Sequence, residues 1–140
     1  MAKGLHAGRD IKKHIKAKKW KSKTYIRRTL RLKVKSNPLE GSPQAKAIVL
    51  EKRQIEQKQP HSGLIKCVRV QLIKNGKQIT VFCPGTGAIG FIKEQDEVTV
   101  AGQGGSDNGP VGSLASVKWR VIKVNGQSLH ALVNGKIKKK

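Results

Sequence analysis

The chain has 140 residues and carries 30 Lys and Arg against 8 Asp and Glu, a formal net charge of +22. That length leaves room for one domain and a tail, and that charge points to nucleic acid or another anionic surface as the partner. No apolar run approaches the ~18 residues of a membrane-spanning helix, no secretory apolar stretch opens the chain, and a pair of cysteines without such a signal fits a reducing compartment.

Charge is concentrated at the start. Residues 1–35 hold 14 Lys and Arg and a single acid, Asp10, whereas residues 36–140 hold 16 basic residues and 7 acids. Lys12, Lys13, Lys16, Lys18, Lys19, Lys21, Lys23, Arg27, Arg28 and Arg31 lie so densely that both faces of any helix would be charged. A solvated charge run usually mixes signs; an unmixed one neutralises phosphates. A helix is expected from about Arg9 to Arg28, but Ile11, Ile15, Trp20, Ile26 and Leu30 are too sparse to give it a face to bury. Free in solution the arm should be disordered, and a polyanion would order it. It is Lys-rich rather than Arg- and Ser-rich, which argues against a mitochondrial presequence. "SNPLEGSP" at 36–43 breaks the pattern with two prolines and a glycine. The expected organisation is a basic extension at 1–43, a folded domain at 44–134 and a frayed basic tail, "GKIKKK", at 135–140.

After the boundary the signals turn to strand. Ala45 to Lys52 is an apolar-rich run. Leu64 to Ile73 and Lys77 to Cys83 flank Asn75-Gly76, a strong hairpin signal. A two-residue loop there would pair residues whose numbers sum to 151. It puts Val68, Val70, Leu72, Ile79, Val81 and Cys83 on one face, with Arg69, Gln71, Gln78 and Thr80 on the other. Val68 would then oppose Cys83, so Cys67 and Cys83 could not form a disulfide. Glu97 to Gly102, Val117 to Val124 and Leu129 to Val133 complete the strands, the last after a second Asn-Gly pair. There a simple two-residue register would set Val121 opposite His130, and a bulge or a longer loop is therefore expected. Short strands, glycine-rich connections and little helix predict an all-β fold: a small five-stranded Greek-key barrel of the OB type behind a long, basic, partly helical N-terminal extension. "GQGGSDNGPVGSL" at 102–114 reads as a mobile surface loop.

Two sharper signals weaken on inspection. "GTGAIG" at 85–90 matches a dinucleotide fingerprint, but that site needs the turn to open a crossover helix, and here the chain enters another strand within a few residues. Cys67, His61 and His130 show no metal-ligand spacing, so no metal site, cofactor or catalytic residue is expected; the cysteines read as apolar filler. With only Trp20, Tyr25, Phe82, Phe91 and Trp119 as aromatic platforms, contacts to the phosphates, sugars and shape of folded RNA fit better than stacking on single strands.

The remaining feature is "QKQPHSG" at 57–63, a compact and mostly neutral loop in a very basic chain. It reads equally as a stiff surface turn or as a rigid element that offers Ser62 and backbone groups to an RNA minor groove.

"AKAIVLEK", "KQPHSGLIKCVRVQLIKNGKQITVF" and "DEVTVAG" closely resemble the small-subunit ribosomal protein twelve family in its eukaryotic and archaeal branch, from about Trp20 to about Val133. The resemblance implies an OB-type barrel, an extension threaded through small-subunit rRNA, neighbouring ribosomal proteins as further partners, and a place at the decoding centre of a cytosolic ribosome. It implies neither membrane association nor homo-oligomer. The family's Lys-x-Pro-Asn-Ser loop approaches the codon–anticodon helix, which assigns Lys58, Pro60 and Ser62 and makes Lys58, Gln59, Pro60, His61, Ser62 and Gly63 the expected decoding loop. Ser113, Leu114, Ala115 and Ser116 correspond to a second decoding-side loop. Pro60 matches a proline that is hydroxylated in eukaryotic members.

The chain departs from the pattern at His61 for Asn, Gly63 for Ala, Ile65-Lys66 for Arg-Lys, and Ala115-Ser116-Val117 for Pro-Gly-Val. Asparagine donates and accepts; a histidine ring does so with different reach and can take up a proton. His61 reads as a tolerated polar contact rather than a pH switch. Competing readings fare worse. A free OB-fold RNA chaperone is opposed by scarce aromatics, a nucleotide-using enzyme by the missing crossover helix, and a secreted heparin binder by the absent signal and disulfides.

Overall fold

A computed structural model describes residues 3–139; the first two residues of the basic extension and the last residue of the tail lie outside them. The chain forms two compact units, Met1–Gly41 and Ser42–Lys140.

The first unit is helical: α1 (Ala7–Lys19), α2 (Lys23–Thr29) and α3 (Leu32–Ser36). The single helix expected over 9–28 is broken. Ser22 is extended (ψ 118°) and accepts from the Tyr25 N–H at 3.5 Å, capping α2. A serine hydroxyl satisfies one of the N–H groups that a helix start leaves without a partner, so a new helix begins there. Trp20 and Tyr25 meet edge-to-face across the break, their ring centroids 5.3 Å apart. None of the three helices buries a residue, as their sparse apolar pattern requires.

The second unit is a mostly antiparallel sheet with strand order β3-β2-β1-β4-β5-β6. The strands are β1 (Gln44–Glu56), β2 (Leu64–Leu72), β3 (Gln78–Phe82), β4 (Glu97–Gly102), β5 (Trp119–Val124) and the short β6 (Gln127–Ser128). β3 also meets β5 in parallel at Phe82 and Arg120, so five strands form a ring. The alternation read from the hairpin fills its core: Val68, Val70, Leu72, Ile79, Val81 and Cys83 are all buried, facing Ala47, Val49, Val98, Val100 and Val121. Each fully buried branched side chain contributes roughly 1.5–3 kcal/mol.

Four expectations need correction. The β2–β3 pairs sum to 149, with Val68 opposite Val81. A two-residue turn of the type expected needs positive φ at both residues, and here Gly76 has it (φ 69°) while Asn75 does not. The loop takes four residues instead, closed by Leu72 N–H to Lys77 O and Gly76 N–H to Leu72 O, both 2.9 Å. A slip of two preserves facing, which is why the core assignment survives the wrong register. At Asn125-Gly126, in place of the expected bulge or longer loop, both residues do have positive φ (48° and 78°) and the turn is a simple two-residue one. The clash of Val121 with His130 never arises because the paired strand ends at Ser128. The expected strand after it is α4 (Leu129–Val133), which buries Leu129 and Leu132. The three-residue spacing of those leucines, not the two-residue alternation of Leu129, Ala131 and Val133, is the periodicity that packs. The tail is tied rather than frayed: Gln127 Nε2 donates to Lys138 O at 3.0 Å, and Lys139 Nζ meets Asp96 Oδ2 at 2.8 Å.

Candidate nucleic-acid interface

The 57–63 loop sits at the tip of a long ribbon. β1 pairs with β4 through Gln44–Ile48 and with β2 from Ala47 onward; beyond a bulge between Val49 and Glu51 it continues with β2 alone to Glu56 opposite Leu64. A bulge inserts one residue and reverses which face each later side chain takes. Before it Ala47 and Val49 face the main core; after it Ile55 comes opposite Ile65, on the face of Cys67. Here a second, smaller core forms: Cys67, Leu114 and Val117 are buried, with Ile55, Ile65 and Phe82 packed against them.

That cluster brings the two predicted loops together. Gln57 and Leu114 form an antiparallel bridge, and the Lys58 N–H donates to Ser113 O at 2.9 Å. Gln57 N–H to Gly63 O (3.0 Å) closes the ribbon, and His61 N–H to Lys58 O (3.1 Å) turns the tip, where the Gln59–Pro60 peptide is cis. Lys58, Gln59, Pro60, His61, Ser62 and Gly63 are all exposed. In the second segment Leu114 is 3% exposed, so its side chain anchors while Ser113 and Ala115 are half-buried and Ser116 is exposed. Ser116 has φ 63°, and Val117 N–H donates to Ala115 O across it at 2.8 Å, a tight three-residue turn. A Cβ on Gly63 would come within 2.8 Å of Gln57 Oε1; that atom ends a flexible side chain.

In the first unit, all ten predicted cations, from Lys12 to Arg31, are exposed. Asp10 lies in the first turn of α1 and Lys16, Lys18 and Lys19 in the last, each favourable to the helix dipole.

The model of the ribosomal protein S12/S23 family matches residues 32–140, over three quarters of the chain. The chain belongs to that family. It is therefore a structural ribosomal protein of the small subunit, of a kind that binds rRNA and other ribosomal proteins and is not, as a family, enzymatic.

The other chemistry-bearing residues of this S12/S23 chain play structural parts. Cys67 and Cys83 are free and buried. Burial pushes their thiols up to about 11 and about 12 respectively, with Cys67 adding to the effect at Cys83 and Lys52 opposing it. Among the described residues, no three His, Cys, Asp or Glu side chains are grouped to hold a metal ion, and no helix is long and apolar enough to cross a membrane. The 85–90 glycines lead into a single 3₁₀ turn (Ala88–Phe91) before β4, not a crossover helix.

Two structural roles escaped the sequence reading. Gln57 is the bridge residue between the loops, and nothing in its type signals that. Asp96 is a junction, accepting from Lys93 N–H (2.9 Å), Asn125 Nδ2 (3.1 Å) and Lys139. Burial would raise its carboxyl, but the bonds from Lys139, Lys93 and Asn125 and the Lys139 charge outweigh that and hold it below the usual value. Asn125, in an Asn-Gly pair, was the available clue.

Proposed function

We propose that this protein belongs to the cytosolic small subunit, where its paired loops at 58–63 and 113–116 face the mRNA–tRNA decoding helix and its surrounding rRNA and help set translational accuracy. The observation that carries this reading is the backbone coupling of the two loops: Lys58 N–H to Ser113 O beside the Gln57–Leu114 bridge. A surface that discriminates a correctly paired helix from a mispaired one must not yield to either. Backbone hydrogen bonds over a buried anchor supply that stiffness. Exposed Ser62, His61 and Lys58 then offer a hydroxyl, a ring and one cation, enough to favour the closed subunit when pairing is correct.

In the same reading the five-strand ring is an OB-type barrel that acts as the rigid mount. Residues 1–43 are the extension that threads rRNA through its ten cations. Residues 135–140 add a short basic contact, neighbouring ribosomal proteins cover other faces, and Pro60 is the hydroxylation candidate. The protein works as one copy per subunit, with no cofactor and no catalytic residue.

The test combines retention with accuracy. Binding through about eight exposed phosphate contacts would weaken by roughly four orders of magnitude between physiological salt and ~0.5 M. A chain threaded into folded rRNA stays with the small subunit through such a wash; release into light fractions would refute the threading. In subunits carrying His61→Asn, assembly should be unchanged and misreading should shift modestly. Loss of subunits in that variant would make residue 61 a packing residue and remove it from the reading surface.

A further inference from the structure

A cleft of about 750 Å³ opens between the 84–86 turn, β5 and α4. It includes no residue of either paired loop and none of the ten extension cations. Its floor is apolar, with Val121 and Leu129 each 1% exposed, and Pro84, Ile122 and Val133 form half-buried walls. Its rim is polar and carries no acid. Arg120, His130 and Asn134 are exposed there. Asn134 Nδ2 lies 3.2 Å from Nδ1 and 3.3 Å from Nε2 of His130, one helical turn earlier, so the amide lies across one face of the imidazole. Arg120 is fixed at its root by pairing with Ala101 on one side and Phe82 on the other.

We propose that this cleft holds one unpaired nucleotide of rRNA. A nucleobase has apolar faces, a polar edge and a phosphate attached, and the cleft offers a counterpart to each. The apolar walls take the faces out of water. Asn134 Oδ1 accepts from a base amino group, and the imidazole face that the amide leaves open gives a stacking plane. The Arg120 guanidinium meets the phosphate. The charge of the rim favours RNA over an apolar protein segment, which would fill the walls but make no use of Arg120 or of the polar groups of His130 and Asn134. The proposal rests on the rRNA-binding reading and adds to it one nucleotide-sized contact outside the loops and the extension. It also places a base contact in a chain whose few aromatic residues otherwise offer little for stacking.

The test uses small subunits assembled with the full chain, wild type or Thr86→Trp, which fills the cleft from its exposed rim. Their rRNA is probed by base methylation and by 2′-hydroxyl acylation. One unpaired nucleotide protected in the wild type should become reactive in the variant, with the rest of the footprint unchanged. The rim variants Arg120→Gln and Asn134→Ala should expose the same nucleotide, so the result does not depend on tolerance of the tryptophan. Unchanged reactivity in all three variants beside an intact general footprint would overturn the proposal alone. A photo-reactive benzophenone side chain at position 86 that links to protein instead of RNA would also overturn it. Absence of any footprint in wild-type subunits would overturn the rRNA-binding reading together with it.

Discussion

Ser116 shows how much a single backbone angle can decide. Its φ of 63° falls where a side chain is strained by roughly 1–3 kcal/mol. Ser116→Gly should leave stability unchanged or raise it by up to about 1 kcal/mol, relief of strain being partly offset by the entropy of a freer unfolded chain. Ser116→Val should lower it by about 1–2 kcal/mol, since β-branching is least tolerated there. Denaturant midpoints of the three chains check both, and equal midpoints would remove the strain argument. Asp96 predicts the acid side of the stability curve. Its folded pKa is lowered, so its contribution is present above the unfolded value near 3.8 and fades as pH falls through the folded one. Asp96→Asn should cost roughly 1–3 kcal/mol at pH 7 and flatten the acid limb of a pH–stability profile; an unchanged limb would show that Asp96 does not govern it. The two thiols act at the other end. Their raised values, about 11 and about 12, mean stability held below the ordinary value near 9 and lost as pH rises toward them. At pH 8 both should resist alkylation in the folded chain and react once it is unfolded, as mass spectrometry would read.

At the scale of elements, the bulge in β1 explains why the functional end of the fold was only half legible. Alternation within the hairpin predicted the main core because a two-residue register slip keeps every side chain on its face. The second core could not be read the same way. It needs the change of face at Leu50 to bring Ile55 beside Cys67, and it needs Leu114 to arrive from a segment that looks in sequence like a free glycine-rich loop. α4 was misread for a related reason: Leu129–Val133 satisfies both periods, and only burial of Leu129 and Leu132 chooses between them. The loop at 57–63 stood out by composition, its neutrality set against a basic chain, while its coupling to 113–116 is a tertiary fact that no local pattern carries. The coupling makes a prediction of its own. Leu114→Ala should cost about 2–3 kcal/mol, the low end for a buried leucine because the cluster is small, and should accelerate hydrogen exchange at the Lys58 amide. Unchanged exchange there would mean that the bridge holds without its anchor.

For the molecule as a whole, the division of labour follows from where charge and apolar residues fall. The helical unit puts its cations on exposed positions and buries no residue of its three helices, an arrangement suited to a partner that supplies negative charge. The sheet unit carries its own core and holds a small, nearly neutral tip rigid. On the proposed reading, attachment and recognition reside in different parts of the chain, which lets the protein be held tightly yet contact a transient helix lightly. The most direct measurement uses Ser62→Cys as a tether for an iron chelate; the native thiols, buried and protonated, should stay unlabelled. In programmed small subunits with tRNA bound, cleavage is predicted in the rRNA around the decoding helix and in the anticodon stem of the tRNA. Cleavage confined to rRNA remote from the tRNA, in subunits that contain the tethered chain, would contradict the account.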